Sequence, residues 1–292
     1  MSQLQAAGSR GRLWAVLATR PWLRLTLLLV PPMAWLVVAY LGSIVVLLVS
    51  SVWTVDSFTG AVVHSFTWAN YQQILTDPLF RTVTLRTIGV ALAVTVVDAV
   101  LAVPLALFMA KVVGPRLRIA MVIAVTTPLW ASYLVKAYAW RGLLAPNGPL
   151  DWLTRGHSPG YGLLTTAMTL AYLWLPYMVL PIYAAFEKVP DSLLEASADL
   201  GAADRTTLRR IAAPLVFPGI AAGSVFTFSL TMGDYIAVTI VGGKTQLLGN
   251  LIYGQLVTAN NQPLAAALTV IPILAVLVYL LALRATGALE ES

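Results

Sequence analysis

The sequence predicts an all-α integral membrane protein with six transmembrane helices. Three observations carry that expectation. First, 59% of the 292 residues are hydrophobic and only 10% charged, with a mean hydropathy of +0.83; in soluble domains about a quarter are charged. Second, the apolar residues gather into six runs, each able to supply the roughly 20 residues a bilayer needs. Third, the Lys and Arg residues flank these runs instead of forming a stripe. The formal net charge of +6 therefore reads as membrane orientation, not nucleic-acid binding. In lipid the backbone must satisfy its own hydrogen bonds, so every span is expected to be a helix.

Residues 1–25 carry Arg10, Arg12, Arg20 and Arg24 and no acid. They read as a cytoplasmic N-terminal segment, with an interfacial helix over Leu13–Leu23. The apolar run from Leu25 to about Trp53 is much longer than the roughly 7–15 residues of a signal-peptide core, so it reads as an uncleaved first span. Span two is expected over Thr82–Val112, span three over Leu117–Trp140 and span four over Leu163–Phe186. Span five is expected over Ala212–Val241 and span six over Leu264–Leu283. The transmembrane domain then covers 26–286, and 287–292 form a short tail. With the N-terminus inside, twelve of the 18 Lys and Arg residues fall on the cytoplasmic side and six outside. Both termini are thus expected inside a bacterial cytoplasmic membrane. No repeat, low-complexity tract or second domain is evident.

The external connections are informative. Val55 to Arg81 is polar-aromatic and partly helical, with Trp68 and Tyr71 as interfacial anchors. Pro146-Asn147-Gly148-Pro149 is a turn signal. Leu247–Leu256 is apolar but too short to span, so it reads as a re-entrant or surface helix.

Pro190 to Ile220 is the most charged segment in this apolar chain. It reads as a short helix, a glycine break and the start of another helix. Ser192 and Glu195 have the spacing of a capping box. Leu193, Ser197 and Leu200 share one face, with Leu194 and Ala198 beside it. Gly201 supplies the left-handed stop, and Asp204 is placed to cap the second helix. The residues Glu195-Ala196-Ser197, Gly201, Ile211 and Pro214 resemble the EAA loop of ABC importer permeases: Glu-Ala-Ala, three residues, Gly, nine residues, Ile-x-Leu-Pro. Ser197 replaces the second Ala and Ala213 the Leu; both are small. The resemblance implies the type I importer permease fold, with 188–211 as a cytoplasmic coupling loop. Glu195, Ala196, Ser197, Asp199, Leu200, Gly201, Ile211 and Pro214 would then engage an ATPase. It also implies two ATPase subunits that bind the ATP and Mg, a second, non-identical permease subunit and an extracytoplasmic solute-binding protein. No cofactor is expected in this chain. Pro128–Leu144, Leu173–Ala202 and the GDYIAV and GGKTQLLGNLIYGQ strings resemble the spermidine/putrescine branch of these permeases.

Ionisable residues inside a membrane carry a functional prior. Asp98 falls in span two, Lys136 near Tyr133 in span three, and Asp234 beside Tyr235 in span five. Asp234 and Lys136 reach comparable depth. They either pair with each other, or Asp234 lines the solute pathway and meets a cationic solute. Asp98 reads as a structural hydrogen-bonding or ion-pair residue, or as a residue of the solute pathway. Catalysis by the chain alone is not expected. There is no GxxxxGK[ST] phosphate loop, no Gly-x-Ser-x-Gly, no cysteine, and no histidine pair at metal-ligand spacing. Two rivals remain: an ion-coupled secondary transporter, which should show an inverted repeat, and a membrane scaffold, which leaves the loop spacing unexplained. An ABC importer for another small solute is the alternative within the same class.

Overall fold

The structure is a computed structural model that describes residues 21–56 and 58–287, with side chains from Leu25 onward. Most of the segment assigned to an N-terminal interfacial helix, and most of the tail, lie outside the described residues. Among the described residues, five helices are long and apolar enough to cross a membrane: Leu25–Ser50, Pro78–Val112, Leu163–Lys188, Asp204–Gly233 and Gln262–Ala285. The remaining expected span is a bent pair of helices.

The first span is α1 (Pro21–Leu36) and α2 (Gly42–Ser50), joined by a π turn at Val37–Leu41. Pro31 and Pro32 remove two N–H donors from α1; membrane helices absorb such losses by local π adjustment. None of this span's apolar window is buried, and α2 meets the last helix of the chain. A two-stranded antiparallel ribbon, β1 (Thr54–Val55) with β2 (Val62–Val63), comes after it. Then comes α3 (Ala69–Thr76). Asn70 ties these pieces together by donating to the carbonyls of Ser51 at 2.9 Å and Trp53 at 2.8 Å. The Tyr71 hydroxyl bonds Ser51 at 2.7 Å, so Tyr71 is a structural tie as well as a surface aromatic.

Helix α4 (Pro78–Leu107) starts on Asp77, whose carboxylate accepts the Leu79 N–H at 2.8 Å, with Pro78 in the first turn. It runs on through a π turn at Phe108–Val112. Next come α5 (Pro115–Trp130) and α6 (Tyr133–Leu143), which meet at 97°. The span expected over Leu117–Trp140 is thus broken at Ala131–Ser132. Pro128 sits in the last turn of α5, and Ala131 and Ser132 are extended. The Pro128 carbonyl, orphaned at the helix end, accepts from Lys136 Nζ at 2.9 Å. The lysine caps the break just before it in the chain.

The predicted turn is present, with Asn147 at φ 63. It leads into α7 (Pro149–Leu153). Helix α8 (Leu163–Lys188) is the fourth span. The charged loop carries α9 (Asp191–Asp199) and α10 (Asp204–Thr207). A π turn at Leu208–Ala212 joins α10 to α11 (Ala213–Gly233). The fifth span stops at Gly233 instead of running to Val241. Asp234 and Tyr235 break it, and α12 (Ile236–Val241) resumes beyond. Then come α13 (Leu248–Tyr253), a π turn at Gly254–Thr258 and α14 (Gln262–Ala285).

Helices α4, α8 and α11 form the core, with α14 laid against α11. Hydrophobic burial does little for helix association in lipid; close packing does it instead. A Cβ on Gly219 would lie 2.6 Å from Ala185 Cβ and 2.7 Å from the Pro181 carbonyl oxygen. One on Gly223 would lie 2.8 Å from Met178 Sδ. These two glycines, four residues apart, bring α11 against α8. Around them Ala102, Ala106, Met109, Met178, Ile182 and Phe186 form a buried cluster.

Candidate functional site

The charged loop is a small, well-fastened body at one end of the bundle. Helix α9 starts after Pro190 and ends on Gly201. There the Gly201 N–H donates to the Ala198 carbonyl at 2.8 Å and the Ala202 N–H to the Ser197 carbonyl at 3.1 Å. Gly201 has φ +73. This is a Schellman stop, and glycine takes the left-handed position without a Cβ penalty. Open space surrounds Gly201: a Cβ there would meet nothing within 4 Å. The glycine serves the turn, not a close approach within this chain.

Other details differ from expectation. The capping box is not formed. Pro190 occupies the N-cap, which puts Ser192 inside the first turn, and Glu195 is exposed with no side-chain bond. Asp204 does not cap α10, because Ala203 holds that position. The buried face of α9 is Ser197 with half-buried Leu194, whereas Leu193 and Leu200 point outward. Leu200 is 87% exposed. Ala196 and Asp199 are exposed, Ile211 is half-buried in the π turn, and Pro214 is exposed at the start of α11. The Ser197 hydroxyl bonds Thr207 Oγ1 at 2.7 Å. The serine that departs from the family pattern thus pins α9 to α10.

A strap that sequence reading missed holds the loop's near end. Lys111, in the π turn after α4, donates to the Val189 carbonyl at 2.7 Å and to Asp191 Oδ1 at 2.7 Å. That hydrogen bond, then the lysine's charge, holds the Asp191 carboxyl below its ordinary range. Arg118 donates to the Ala110 carbonyl at 2.7 Å and lies 3.9 Å from Glu187, which also accepts from Tyr183. Between strap and loop lies a cavity of about 520 Å³, walled by Leu107, Phe186, Val189, Leu194, Ala198 and Leu208 among others. In sequence Lys111 looked like any lysine at a span end. The Gly219/Gly223 spacing was a readable signal.

The second cluster lies at the opposite end, at the α11–α12 break. Asp234 is 8% exposed. Its Oδ1 accepts the Ala237 N–H at 2.9 Å, starting α12, and its Oδ2 accepts from the Tyr133 hydroxyl of α6. The expected Asp234–Lys136 pair is not made: the ammonium is committed to the Pro128 carbonyl instead. Tyr235 is partly exposed and stacks on Tyr253, with centroids 4.7 Å apart and rings 13° from parallel. Asn250 holds this pair in place by donating to the Tyr235 carbonyl at 2.9 Å and to Thr239 Oγ1 at 2.8 Å. A Cβ on Gly249 would lie 2.5 Å from the Asp234 carbonyl oxygen, so α13 seats directly on the break. Asp98 belongs to neither cluster. It is 0% exposed on α4, and neither carboxylate oxygen has a hydrogen-bond partner among the described residues. The ion-pair role and an open pathway position are both absent from this conformation.

The chain is a helical membrane domain whose fourth and fifth spans are joined by a strapped, glycine-stopped charged loop. The chain belongs to the family of binding-protein-dependent transport system inner membrane components, whose model matches residues 13–288. It is 42% identical over 289 residues to the inner membrane ABC transporter permease protein YdcU of Escherichia coli K12, covering 92% of each chain. It is 35% identical over 226 residues to the spermidine/putrescine transport system permease protein PotB of the same organism, covering 73% of this chain and 82% of PotB. Two solved folds are similar. One belongs to a bacterial alginate ABC transporter in complex with its alginate-pentasaccharide-bound periplasmic protein, with TM-score 0.71, 17% identity, and 92% and 95% coverage. The other belongs to the MetNI methionine transporter, with TM-score 0.54, 18% identity, and 71% and 95% coverage. The protein is a multi-pass membrane permease subunit of an ABC importer.

Proposed function

We propose that this permease carries a polyamine such as spermidine or putrescine, delivered by a solute-binding protein and driven by two partner ATPase subunits beside a second, non-identical permease. The single observation that carries the solute class is the 35% identity to a spermidine/putrescine permease over 226 residues. The Asp234–Tyr235–Tyr253 cluster supports it. A carboxylate beside an exposed aromatic face is chemistry that an alkylammonium uses, through charge and cation–π attraction.

The charged loop faces the cytoplasm, with both termini on that side. Exposed Glu195 and Leu200 meet the ATPase, which binds the ATP and Mg. ATP acts only through its better binding to the closed ATPase dimer. As the dimer closes, α9 moves. The Ser197–Thr207 bond and the π turn carry that motion into α11, and the Lys111 strap carries it into α4. Displacement at the far end releases Asp234 from Tyr133 and opens it to solute. The test is uptake by proteoliposomes holding this chain with its co-encoded ATPase, permease and binding protein. ATP-dependent uptake of radiolabelled spermidine or putrescine is the expected result. Uptake by the chain alone along an ion gradient would establish a secondary transporter. ATP-driven uptake restricted to an anionic or neutral solute would remove the polyamine reading and leave the importer intact.

A further inference from the structure

The three core helices carry an unexplained set of buried polar groups. Both oxygens of Asp98 on α4, Nε1 of Trp174 on α8, and the hydroxyls of Thr227 and Thr231 on α11 are buried without a hydrogen-bonding partner among the described residues. Asp98, Thr227 and Thr231 are fully buried. Packing register brings Asp98, Trp174 and Thr227 to one level. Val94 clusters with Leu170, with Trp174 packed against them, and Ala102 clusters with Met178. Asp98 lies halfway between Val94 and Ala102, as Trp174 does between Leu170 and Met178. On α11, which runs the opposite way, Gly223 abuts Met178. Thr227 is then level with Trp174, and Thr231 one turn further along.

The threonines differ from their neighbours. Thr87, Thr95 and Thr169, on α4 and α8, each donate to the carbonyl four residues back, at 2.7, 2.7 and 2.8 Å. Thr227 and Thr231 do not, so their hydroxyls are left free to serve another acceptor. No Lys, Arg or His occurs in α11 or in the apolar part of α8, so neither helix supplies a counter-ion to Asp98. A buried polar group without a partner costs about 1–3 kcal/mol, more when charged. Four such residues on three facing helices are not left dry at that cost. The indole N–H only donates and the carboxylate accepts, a set that water bridges and that a metal ion, repelled by the N–H, does not.

We propose that Asp98, Trp174, Thr227 and Thr231 enclose a water-binding site between the three core helices. Water there joins the carboxylate of α4 to the donors of α8 and α11. Burial and register point to this site, independently of the identity of the solute. X-ray hydroxyl-radical footprinting tests it, because radiolysis oxidises side chains next to bound water. The full chain in its assembled complex is irradiated in nanodiscs and Trp174 oxidation is read by mass spectrometry. Trp174 should be oxidised in the wild type. The rate should fall severalfold in Asp98→Leu and in Thr227→Val and stay near wild type in Asp98→Asn. External Trp152 should be unaffected, reporting an intact fold. If Asp98→Leu does not assemble, Thr227→Val alone decides. Unoxidised Trp174 in the wild type, or a rate indifferent to Thr227→Val, would overturn the site. A rate that drops when sodium replaces choline would overturn water as occupant in favour of a metal cation.

Discussion

Replacing Lys111 with Met keeps the four-atom stem packed and removes only the ammonium. The bond from that ammonium to the Val189 carbonyl is 2.7 Å long and partly buried; bonds with one charged partner contribute about 1.5–3 kcal/mol. The Asp191 half of the strap lies on an exposed carboxylate, where solvent screening leaves the pair little weight. The strap is thus worth roughly 2 kcal/mol, about 30-fold in the population of the fastened loop. In the assembled complex, Lys111→Met is expected to leave ATP hydrolysis running while solute uptake per ATP falls severalfold, because α4 no longer moves with the loop. Lys111→Arg should restore part of the loss, since a guanidinium can still reach the carbonyl. Paired hydrolysis and uptake measurements on the same proteoliposomes give the ratio directly. A Lys111→Met ratio equal to wild type would show that the strap transmits nothing.

The same geometry sets other expected outcomes. Gly201→Ala is expected to cost about 1–2 kcal/mol, because the left-handed φ penalises any Cβ. Gly201→Trp should cost the same in the free chain, where the site is open, and in addition weaken ATPase co-purification; equal retention by both variants would remove Gly201 from the partner surface. Gly219→Ala must push against Ala185 Cβ and the Pro181 carbonyl oxygen. A loss of about 1–3 kcal/mol, seen as a lower thermal midpoint in detergent, is expected. Tyr133→Phe strips Asp234 of its hydroxyl donor. It should lower stability by about 1–3 kcal/mol and raise the fraction of outward-open permease, read by labelling of a cysteine introduced at Tyr253. Asp191 has a depressed pKa in the fold, so its share of the strap is present above the ordinary carboxylate value of about 3.9. It disappears only as pH falls through the depressed value. Uptake per ATP should therefore be flat from neutral pH down to about 4, and a loss well above that range would place the sensitive group elsewhere.

Much of this architecture is legible in the chain because apolar length decides membrane spans almost alone. Spans two, four and six run within a few residues of expectation, as Pro78–Val112, Leu163–Lys188 and Gln262–Ala285. Gly201 was readable because glycine takes the left-handed stop of a helix without a Cβ penalty. The break at Ala131–Ser132 was not, since hydropathy continues across it and Pro128 alone does not dictate a 97° bend. The Asp234 break was hidden for the same reason: Ile236–Val241 is as apolar as the helix before it. Pairings across the fold were the least visible. Depth and charge make an Asp234–Lys136 pair one of two readings, yet the carbonyl left open by the helix break takes the ammonium and Tyr133 occupies the acid. The box at Ser192–Glu195 failed because Pro190 starts the helix early.

The whole mechanism depends on which side of the membrane α9 faces, and the chain offers a clean way to ask. It has no cysteine, so Leu200→Cys, at a position 87% exposed, carries the single thiol. A membrane-impermeant maleimide is applied to intact cells and to inside-out vesicles. The expected result is labelling in inside-out vesicles only, diminished when the ATPase is bound. Labelling of intact cells would place the loop outside, where no ATPase could reach it, and would contradict its role as the coupling element.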